Sequence, residues 1–231
     1  MVRRIPDENG KRERKAQMRI IKAGYEILTP MNGVEMLRSI EQIARTCYKS
    51  EGAINQDSAE KMVKTLIKNG HEAMLEHQSF SVKFIVDRGV SHELVRHRLA
   101  SFAQESTRYC DYTKDKFGNG ITFIKPVFFE EGTELYNEWL EDCEHCEKKY
   151  LKMRALGATP QQARTVLNHS TKTEVCVTMN LREWRHFFKL RAADETGAAH
   201  PQMKEVTIPL LKEIKVLVPV VFDDIEPKEN T

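Results

Sequence analysis

The sequence predicts an α+β fold, in which a small antiparallel sheet packs with several helices in a single domain. Two stretches alternate apolar with polar side chains as half-buried strands do, Phe80–Val86 and Val175–Met179. A third stretch, from Leu135 to Tyr150, carries its apolar side chains at helical spacing. No internal repeat divides the chain, so these strands and helices are expected to share one core.

In the first quarter of the chain we expect one strand and two helices. Ile20–Leu28 is the first predicted strand, and the apolar residues within Met36–Tyr48 recur at helical spacing. A second helix is expected between a cap at Asp57 and a stop at Gly70. It would bury the apolar residues that lie between those two signals.

The middle of the chain should place an arginine-rich segment after a buried strand. We expect Gly89 to interrupt the chain after Phe80–Val86, and a helix beginning near Ser91 to deliver the arginines. A glycine turn at 118–120 should then lead into a short strand, Ile121–Ile124.

Four helices are expected in the second half. The long one ends by Gly157, and Thr159 followed by Pro160 signals the start of the next. Asn180 should cap a helix that runs through Leu190 with its aromatic residues inward. The last should cover Gln202–Val216, where an internal proline, Pro209, is expected to kink or divide it.

Composition excludes several classes of protein. The chain has 231 residues, of which 30% are charged, and a net charge of only +2, so nothing in its charge argues for nucleic acid as a partner. No apolar run approaches the ~18 residues that a membrane helix needs, and no membrane association is expected. We expect a disordered leader at 1–18, one folded domain at 19–223 and an acidic tail at 224–231.

Five scattered cysteines indicate reduced thiols and a cytoplasmic location. Cys143 and Cys146 form a C-x-x-C pair, but no second pair completes a zinc site, and their spacing also fits one buried helix face with Trp139 and Tyr150. No metal is therefore expected.

The segment Arg96–Tyr109 is the strongest functional signal in the chain. It holds three arginines, one histidine and two serines in fourteen residues, with no lysine and a single glutamate. Arginine binds phosphate oxygens through paired, charge-assisted hydrogen bonds, and serine hydroxyls can complete such a site. The segment indicates a phosphorylated ligand, although an exposed basic helix would show the same composition.

Three other segments are candidates for the same site. Gly70–His77 contains two histidines and two glutamates, which would equally suit a polar loop. Arg164 is a lone arginine in a helical segment, and Asn180–Arg191 sets basic side chains around an aromatic stripe. No Gly-x-Gly-x-x-Gly and no P-loop sequence occurs, so a dinucleotide would have to be held by side chains.

The Arg96–Tyr109 segment resembles the signature of flavin-dependent thymidylate synthases: Arg-His-Arg, two residues, Ser, four residues, Ser, one residue, Arg, then Tyr. Every fixed position is matched, although Ala103 stands where many members have Asn and Gln104 where some have Glu. The three other segments occur in the family's order, and the resemblance extends over roughly Ile20–Phe222.

This resemblance implies an enzyme that methylates dUMP to dTMP, with FAD as cofactor and NADPH and methylenetetrahydrofolate as co-substrates. It also implies a homotetramer with shared active sites. The residues it assigns to the cofactor are His71, Ala73, Arg96, His97, Arg98, Gln104, Asn180, Arg182 and His186. The residues it assigns to dUMP are Glu93, Arg96, Gln104, Glu105, Ser106, Thr107, Arg108, Arg164 and Arg191.

Within these sets, Arg191 is the predicted catalytic residue, because its permanent charge would stabilise negative charge on the uracil ring. Ser106 is a conceivable nucleophile, but an unactivated hydroxyl is weak and needs a base in contact. The mechanism that the resemblance implies needs no covalent enzyme nucleophile. The stretch 192–199 separates Arg191 from His200 by more residues than in many members, which leaves the role of His200 open.

Two other classes remain open on the sequence. An RNA-binding module could use the Arg96–Arg108 segment, but would favour exposed aromatics and a larger positive charge. A thymidylate synthase of the ordinary type would need an activated cysteine, for which Cys110 is the candidate because it directly follows the signature.

Overall fold

The computed structural model describes residues 18–229, and the predicted leader lies outside them except for Met18. The strands are β1 (Arg19–Ile21), β2 (Gly24–Ile27), β3 (Ser79–Asp87), β4 (Ala100–Gln104), β5 (Thr122–Ile124) and β6 (Lys172–Asn180). The helices are α1 (Gly33–Thr46), α2 (Ser58–Lys68), α3 (Arg88–Leu94), α4 (Glu134–Ala155), α5 (Pro160–Ala163), α6 (Leu181–Arg191) and α7 (Pro201–Leu217). Short 3₁₀ turns occupy Glu51–Ala53, Glu72–His77, Asp115–Phe117 and Arg164–Val166.

The main sheet has four antiparallel strands in the order β2-β3-β6-β4. In its centre Phe84 lies opposite Val175, and Val82 lies opposite Val177, so the two predicted alternating stretches bury the same face. A second pair, β1 and β5, is parallel and separate. The α+β class and the antiparallel sheet are confirmed.

The helix α6 packs its aromatic residues on this sheet. The Trp184 ring stacks on Phe80 at 4.6 Å between centroids, and its indole N–H donates to the Phe80 carbonyl oxygen at 3.1 Å. Phe187 and Phe188 are fully buried beside it. Each such side chain contributes about 1.5–3 kcal/mol by burial. The predicted inward stripe is confirmed, and it fixes the position of the helix that carries Arg191.

A smaller core lies under α4, where Cys143, Cys146 and Tyr150 are buried on one helix face as the spacing indicated. Burial raises the pKa of the Cys143 thiol to about 12 and also raises that of Cys146. Such thiols stay protonated at neutral pH, so they are poor nucleophiles and poor metal ligands.

Two expectations about strands need correction. Ile20–Leu28 is not one strand: β1 pairs with β5 and β2 pairs with β3, with Lys22 and Ala23 between them. The chain changes sheets at this point, which hydrophobic alternation within one segment does not reveal. The segment Ala100–Gln104, which no pattern marked, is the edge strand β4.

Helix boundaries also differ at two places. Gly89 does not interrupt the chain; α3 already begins at Arg88, because the Asp87 carboxylate accepts from the Val90 N–H at 2.8 Å and caps it. The helix then ends at Leu94, so the arginine-rich segment is not an exposed basic helix. In α7, Pro209 leaves the helix undivided.

The final described residues pack on the core. Ile225 is buried, the Asp224 carboxylate pairs with Arg185 at 2.6 Å, and the Lys228 N–H donates to the Ala192 carbonyl oxygen. Among residues 18–229, no helix combines the length and apolarity needed to span a bilayer. The division into leader, domain and tail stays a prediction.

Candidate active site

The arginine-rich segment forms a turn between α3 and β4. Backbone hydrogen bonds from the Arg96 N–H to the Glu93 carbonyl and from the His97 N–H to the Leu94 carbonyl tighten the end of α3. The chain then enters β4, which pairs with β6 at the sheet edge. The three residues Arg96, His97 and Arg98, called here the RHR turn, therefore project from the end of a rigid helix.

The two arginines of the RHR turn are exposed and uncommitted. Within residues 18–229, neither the Arg96 nor the Arg98 guanidinium makes an ion pair or hydrogen bond with another side chain or carbonyl. Each guanidinium presents five N–H donors in a planar fork. Open donors of this kind suit an anionic ligand with several oxygens.

His97 points the other way, into the core. Its ring is buried against Phe187 in an edge contact at 4.9 Å, and it lies 5.9 Å from the His186 ring. Burial, followed by the nearby charges of Arg191 and His186, lowers its pKa to about 4. His97 is therefore neutral at pH 7.

Arg191 joins α6 to the RHR turn. It is the last residue of α6, and its Nε donates to the His97 Nε2 at 3.2 Å. Its Nη1 donates to the Glu93 carboxylate at 2.8 Å. A cation at a helix C-terminus is also favoured by the helix dipole. The predicted catalytic arginine and two predicted ligand residues from α3 and the turn thus meet.

The residues from the end of β4 to Arg108 divide into two groups, and the side chains of the first, Gln104 and Glu105, are hydrogen-bonded within the protein. The Gln104 amide donates to the hydroxyls of Ser91 and Thr173 at 3.1 and 3.2 Å. The Glu105 carboxylate accepts from the Tyr112 hydroxyl and from the Lys172 ammonium, both at 2.9 Å. Both side chains therefore serve contacts within this chain.

The second group comprises Ser106, Thr107 and Arg108, of which Thr107 lines a cleft together with Arg164. The Arg164 Nη1 donates to the buried Thr107 hydroxyl at 3.4 Å, and the Arg108 Nε donates to the Gln161 carboxamide oxygen at 2.8 Å. The Ser106 hydroxyl accepts only a long contact, 3.4 Å, from the Arg108 N–H. No base within residues 18–229 bonds this hydroxyl, so it is not an activated nucleophile.

The cleft beside Thr107 and Arg164 has a volume of about 270 Å³. Three basic residues that the sequence analysis did not single out also line it, Arg88, His92 and His169. The Nη1 of Arg88 is buried without a hydrogen-bond partner among the described residues. A buried, unmatched cationic donor is costly unless an acceptor fills the cleft, so the arrangement suits a bound anion.

The remaining predicted cofactor residues lie in α6, at its N-terminal cap, and in or beside the 3₁₀ turn Glu72–His77. Asn180 caps α6, with its side-chain oxygen accepting from the Glu183 N–H at 2.8 Å. Arg182 is exposed but paired with Glu76 at 2.6 Å. His71, Ala73 and His186 are exposed to solvent. No contact links His71 or Ala73 to the RHR turn within the described chain.

His200 has a structural role. Its Nδ1 accepts from the Gln202 N–H at 3.2 Å, which caps α7, and its ring meets Phe128 edge-on. The preceding stretch is held by Asp194, whose carboxylate accepts from the Ala199 N–H and pairs with Lys204 at 2.6 Å. The extra residues after Arg191 form an ordered loop that ends in a helix cap.

Two other chemistries can be weighed at this site. The Cys110 thiol has a pKa raised by burial and then by Glu105, which leaves it unactivated. His97, Glu183 and His186 place potential metal-ligand atoms within 4.8 Å of one another, the one such group found in residues 18–229. However, the Arg191 cation already occupies the Nε2 of His97, and its charge disfavours a second cation there.

The sequence of this chain is similar to proteins of a known family. Residues 31–220 match the family model described as Thy1, thymidylate synthase complementing protein. A flavin-dependent thymidylate synthase of Pyrococcus abyssi is 33% identical over 162 residues, covering 70% of this chain and 64% of that protein. The corresponding protein of Geobacter sulfurreducens is 31% identical, covering 80% of this chain and 79% of its own.

The fold is also that of a solved structure. A UMP/dUMP methylase, PolB from Streptomyces cacaoi bound with 5-Br dUMP, superposes with a TM-score of 0.73 at 22% identity. The match covers 89% of this chain and 95% of that one. At this identity the likeness establishes the shared architecture.

Proposed function

We propose that this chain, which belongs to the flavin-dependent thymidylate synthase family, converts dUMP to dTMP at the junction of the RHR turn and α6. In this family methylenetetrahydrofolate provides one carbon for C5 of dUMP, and FAD and NADPH provide the reducing equivalents. When bound, FAD supplies the hydride chemistry that no amino-acid side chain offers. The alignment spans 64% of the P. abyssi relative, and the activity is proposed for the chain on the residues it contains.

The cofactor is assigned to the side chains around the RHR turn. The exposed, uncommitted guanidiniums of Arg96 and Arg98 suit the FAD phosphates, as the absence of a P-loop or Rossmann turn requires. The other residues proposed to contact FAD are His71, Ala73, His97, Gln104, Asn180, Arg182 and His186. Because Arg182 is already paired with Glu76, its use by FAD would require that pair to open or be shared.

The nucleotide is assigned to the cleft and the end of α6. Arg164 with Thr107 can hold the phosphate, and Ser106 and Arg108 adjoin them in sequence. Arg96, Gln104, Glu105, Glu93 and Arg191 complete the proposed set. Since Glu105 and Gln104 are engaged within the protein, we assign them to shaping this wall of the cleft.

Arg191 has the features of an electrostatic catalyst. Its charge is permanent at any working pH, and two contacts, to His97 and Glu93, orient it before substrate arrives. A fixed cation placed beside the uracil would stabilise negative charge that develops on the ring during attack by C5. No enzyme nucleophile is needed, in agreement with the unactivated states of Ser106 and Cys110.

The meeting of Arg191, His97 and Glu93 is the single observation that carries this proposal, since it joins the two motifs that the resemblance assigns to flavin and uracil. The test is turnover: purified protein with FAD, NADPH, methylenetetrahydrofolate and dUMP should form dTMP, detected by chromatography. Reactions lacking one component are the controls. Formation of dTMP without flavin would favour the cysteine-dependent class instead.

We also propose a homotetramer with shared active sites in the cytoplasm. Leu99 and Tyr109, which flank the site, are 72% and 76% exposed in the single chain, and apolar residues so exposed suit contact with another copy. The free thiols suit a reducing compartment. Light scattering of the purified protein measures the assembly, and cell fractionation measures the location.

A further inference from the structure

Glu183 is a buried carboxylate that none of the assigned roles uses. It lies in the first turn of α6, its side chain is 8% exposed, and its carboxylate has no hydrogen bond shorter than 3.5 Å among residues 18–229. Its Oε1 lies 3.5 Å from the Nδ1 of His97. A buried carboxylate without strong partners is costly, so a specific role is the natural explanation.

The contacts of His97 show which of its nitrogens carries the proton. Arg191 can only donate hydrogen bonds, so the Nε2 that receives its Nε–H must be unprotonated. The ring is neutral, and its one proton therefore resides on Nδ1. That Nδ1 is buried and makes no hydrogen bond among the described residues, and an oxygen of the Glu183 carboxylate lies 3.5 Å from it.

We propose that Glu183 is a positioning residue that fixes the tautomer of His97 and, through it, the orientation of Arg191. A carboxylate favours the Nδ1–H form, which leaves Nε2 free to accept from Arg191, while Glu93 holds the other side of the guanidinium. Without the carboxylate, a proton on Nε2 would face the Arg191 N–H and push the guanidinium away. This inference rests on the proposed role of Arg191 toward dUMP.

The variant Glu183→Gln tests this with little change of shape. Its neutral amide oxygen is a weaker acceptor for the Nδ1–H than the carboxylate, and its N–H₂ can donate to an unprotonated Nδ1, so the His97 proton should shift toward Nε2, where it opposes the Arg191 N–H. We expect dUMP affinity to fall about tenfold, as for loss of roughly one hydrogen bond to a charged group. Glu195→Gln, which removes a carboxylate at the protein surface, is the matched control and should leave dUMP affinity unchanged.

A double-mutant cycle separates positioning from mere structure. If Glu183 acts through His97, then Glu183→Gln should cost little further dUMP affinity in a His97→Ala background. Equal losses of dUMP affinity in both backgrounds would overturn the proposal. Thermal melting of each variant shows whether it is folded, and Glu183→Ala provides a second route if Glu183→Gln is not.

A measurement without any ligand keeps this test apart from the proposed function. In protein labelled with ¹⁵N-histidine, His97 should show a protonated Nδ1 and an unprotonated Nε2, with His97→Gln identifying its signals. Glu183→Gln should shift that pattern toward a protonated Nε2, and a pattern identical to that of the wild type would contradict the proposed role of the carboxylate. A wild-type His97 protonated at Nε2 would refute the tautomer, whereas wild-type protein that shows the expected tautomer but binds no dUMP would refute the proposed function alone.

Discussion

Two arginines on α6 have opposite situations, although the sequence presents them as one row of basic residues beside an aromatic stripe. Arg185 is fully buried and its donors are used internally, by Glu72 at 3.0 Å, by Asp224 at 2.6 Å and by the Val221 carbonyl. Arg191 is partly exposed, and among residues 18–229 only its Nε and Nη1 make hydrogen bonds or ion pairs, so its Nη2 is available.

The difference separates a structural arginine from one that is available to a ligand. The charged groups that contact Arg185 are the carboxylates of Glu72 and Asp224. Against the opposing effect of burial, these ion pairs raise the pKa of Arg185, and the pair with Arg185 lowers that of Asp224. Arg191 is oriented by two partners but keeps a side of its fork open. The same contrast holds for the RHR turn, whose arginines have no internal partner. Unsatisfied donors therefore mark the site better than charge does.

The largest effect is expected on stability, at Arg185, whose donors are used within the protein. Arg185→Ala leaves Glu72 and Asp224 without their shared cation and should lower the free energy of unfolding by about 3 kcal/mol. Urea denaturation measures it, and Arg185→Met, which keeps most of the packing, is the control for lost volume. Folded Arg185→Ala protein should still bind FAD. A fully stable variant that has lost FAD would contradict the contrast.

At Arg191, the partly exposed arginine of α6, we expect a loss of dUMP binding rather than a loss of stability. Arg191→Ala removes one charge-assisted contact, which is worth about 1.5–3 kcal/mol, so dUMP affinity and turnover should fall roughly ten- to a hundredfold. FAD affinity and the unfolding midpoint should change little. Calorimetric titrations of dUMP and FAD check this, with Arg191→Lys as a variant that retains charge but not the fork. Loss of flavin with dUMP binding intact would reverse the two sites.

A variant of Arg98 tests the flavin-binding role that we assign to the RHR turn, in contrast to the dUMP-binding role of Arg191. Because it is exposed on the RHR turn, Arg98→Ala should weaken FAD first, by about tenfold, the lower end of the same range. Added FAD should partly restore the turnover rate, whereas it should not rescue Arg191→Ala. Rates measured across a series of FAD concentrations decide between the two. A rate for Arg98→Ala that stays low at saturating FAD would count against this assignment.

The smallest effect is expected at Cys110. Burial and the Glu105 carboxylate raise the pKa of this thiol, so it stays protonated and does not provide a thiolate nucleophile. Cys110→Ser should therefore keep most of the dUMP turnover, measured as dTMP formed per enzyme. A folded Cys110→Ser protein with no turnover at all would support the cysteine-dependent mechanism.

Much of the fold was readable from the sequence because local patterns and tertiary packing agree there. The alternation in β3 and the cap at Asn180 each reflect a single buried face or a single helix end. The strand β4 was not predictable. It is an edge strand with mostly exposed side chains, so its hydrogen bonds to β6 leave no hydrophobic period.

The site residues also divide into contacts that could be predicted from the sequence and contacts that could not. The resemblance brought together Arg191, Glu93 and the RHR turn, and the structure places these residues in contact. It gave no sign that Glu105 is tied to Lys172, or that Glu183 faces His97, because these pairs join distant parts of the chain. The roles of the site residues stay predictions until they are tested by the variants above.

Flavin binding tests the central claim most directly. Flavin-free protein should be titrated with FAD, followed by absorbance in the visible range, and then with dUMP. We expect the protein to become yellow by binding FAD, and the flavin-loaded form to bind dUMP, because the open donors of the RHR turn and Arg191 serve these two anions. Folded protein that stays colourless and shows no FAD binding would contradict it.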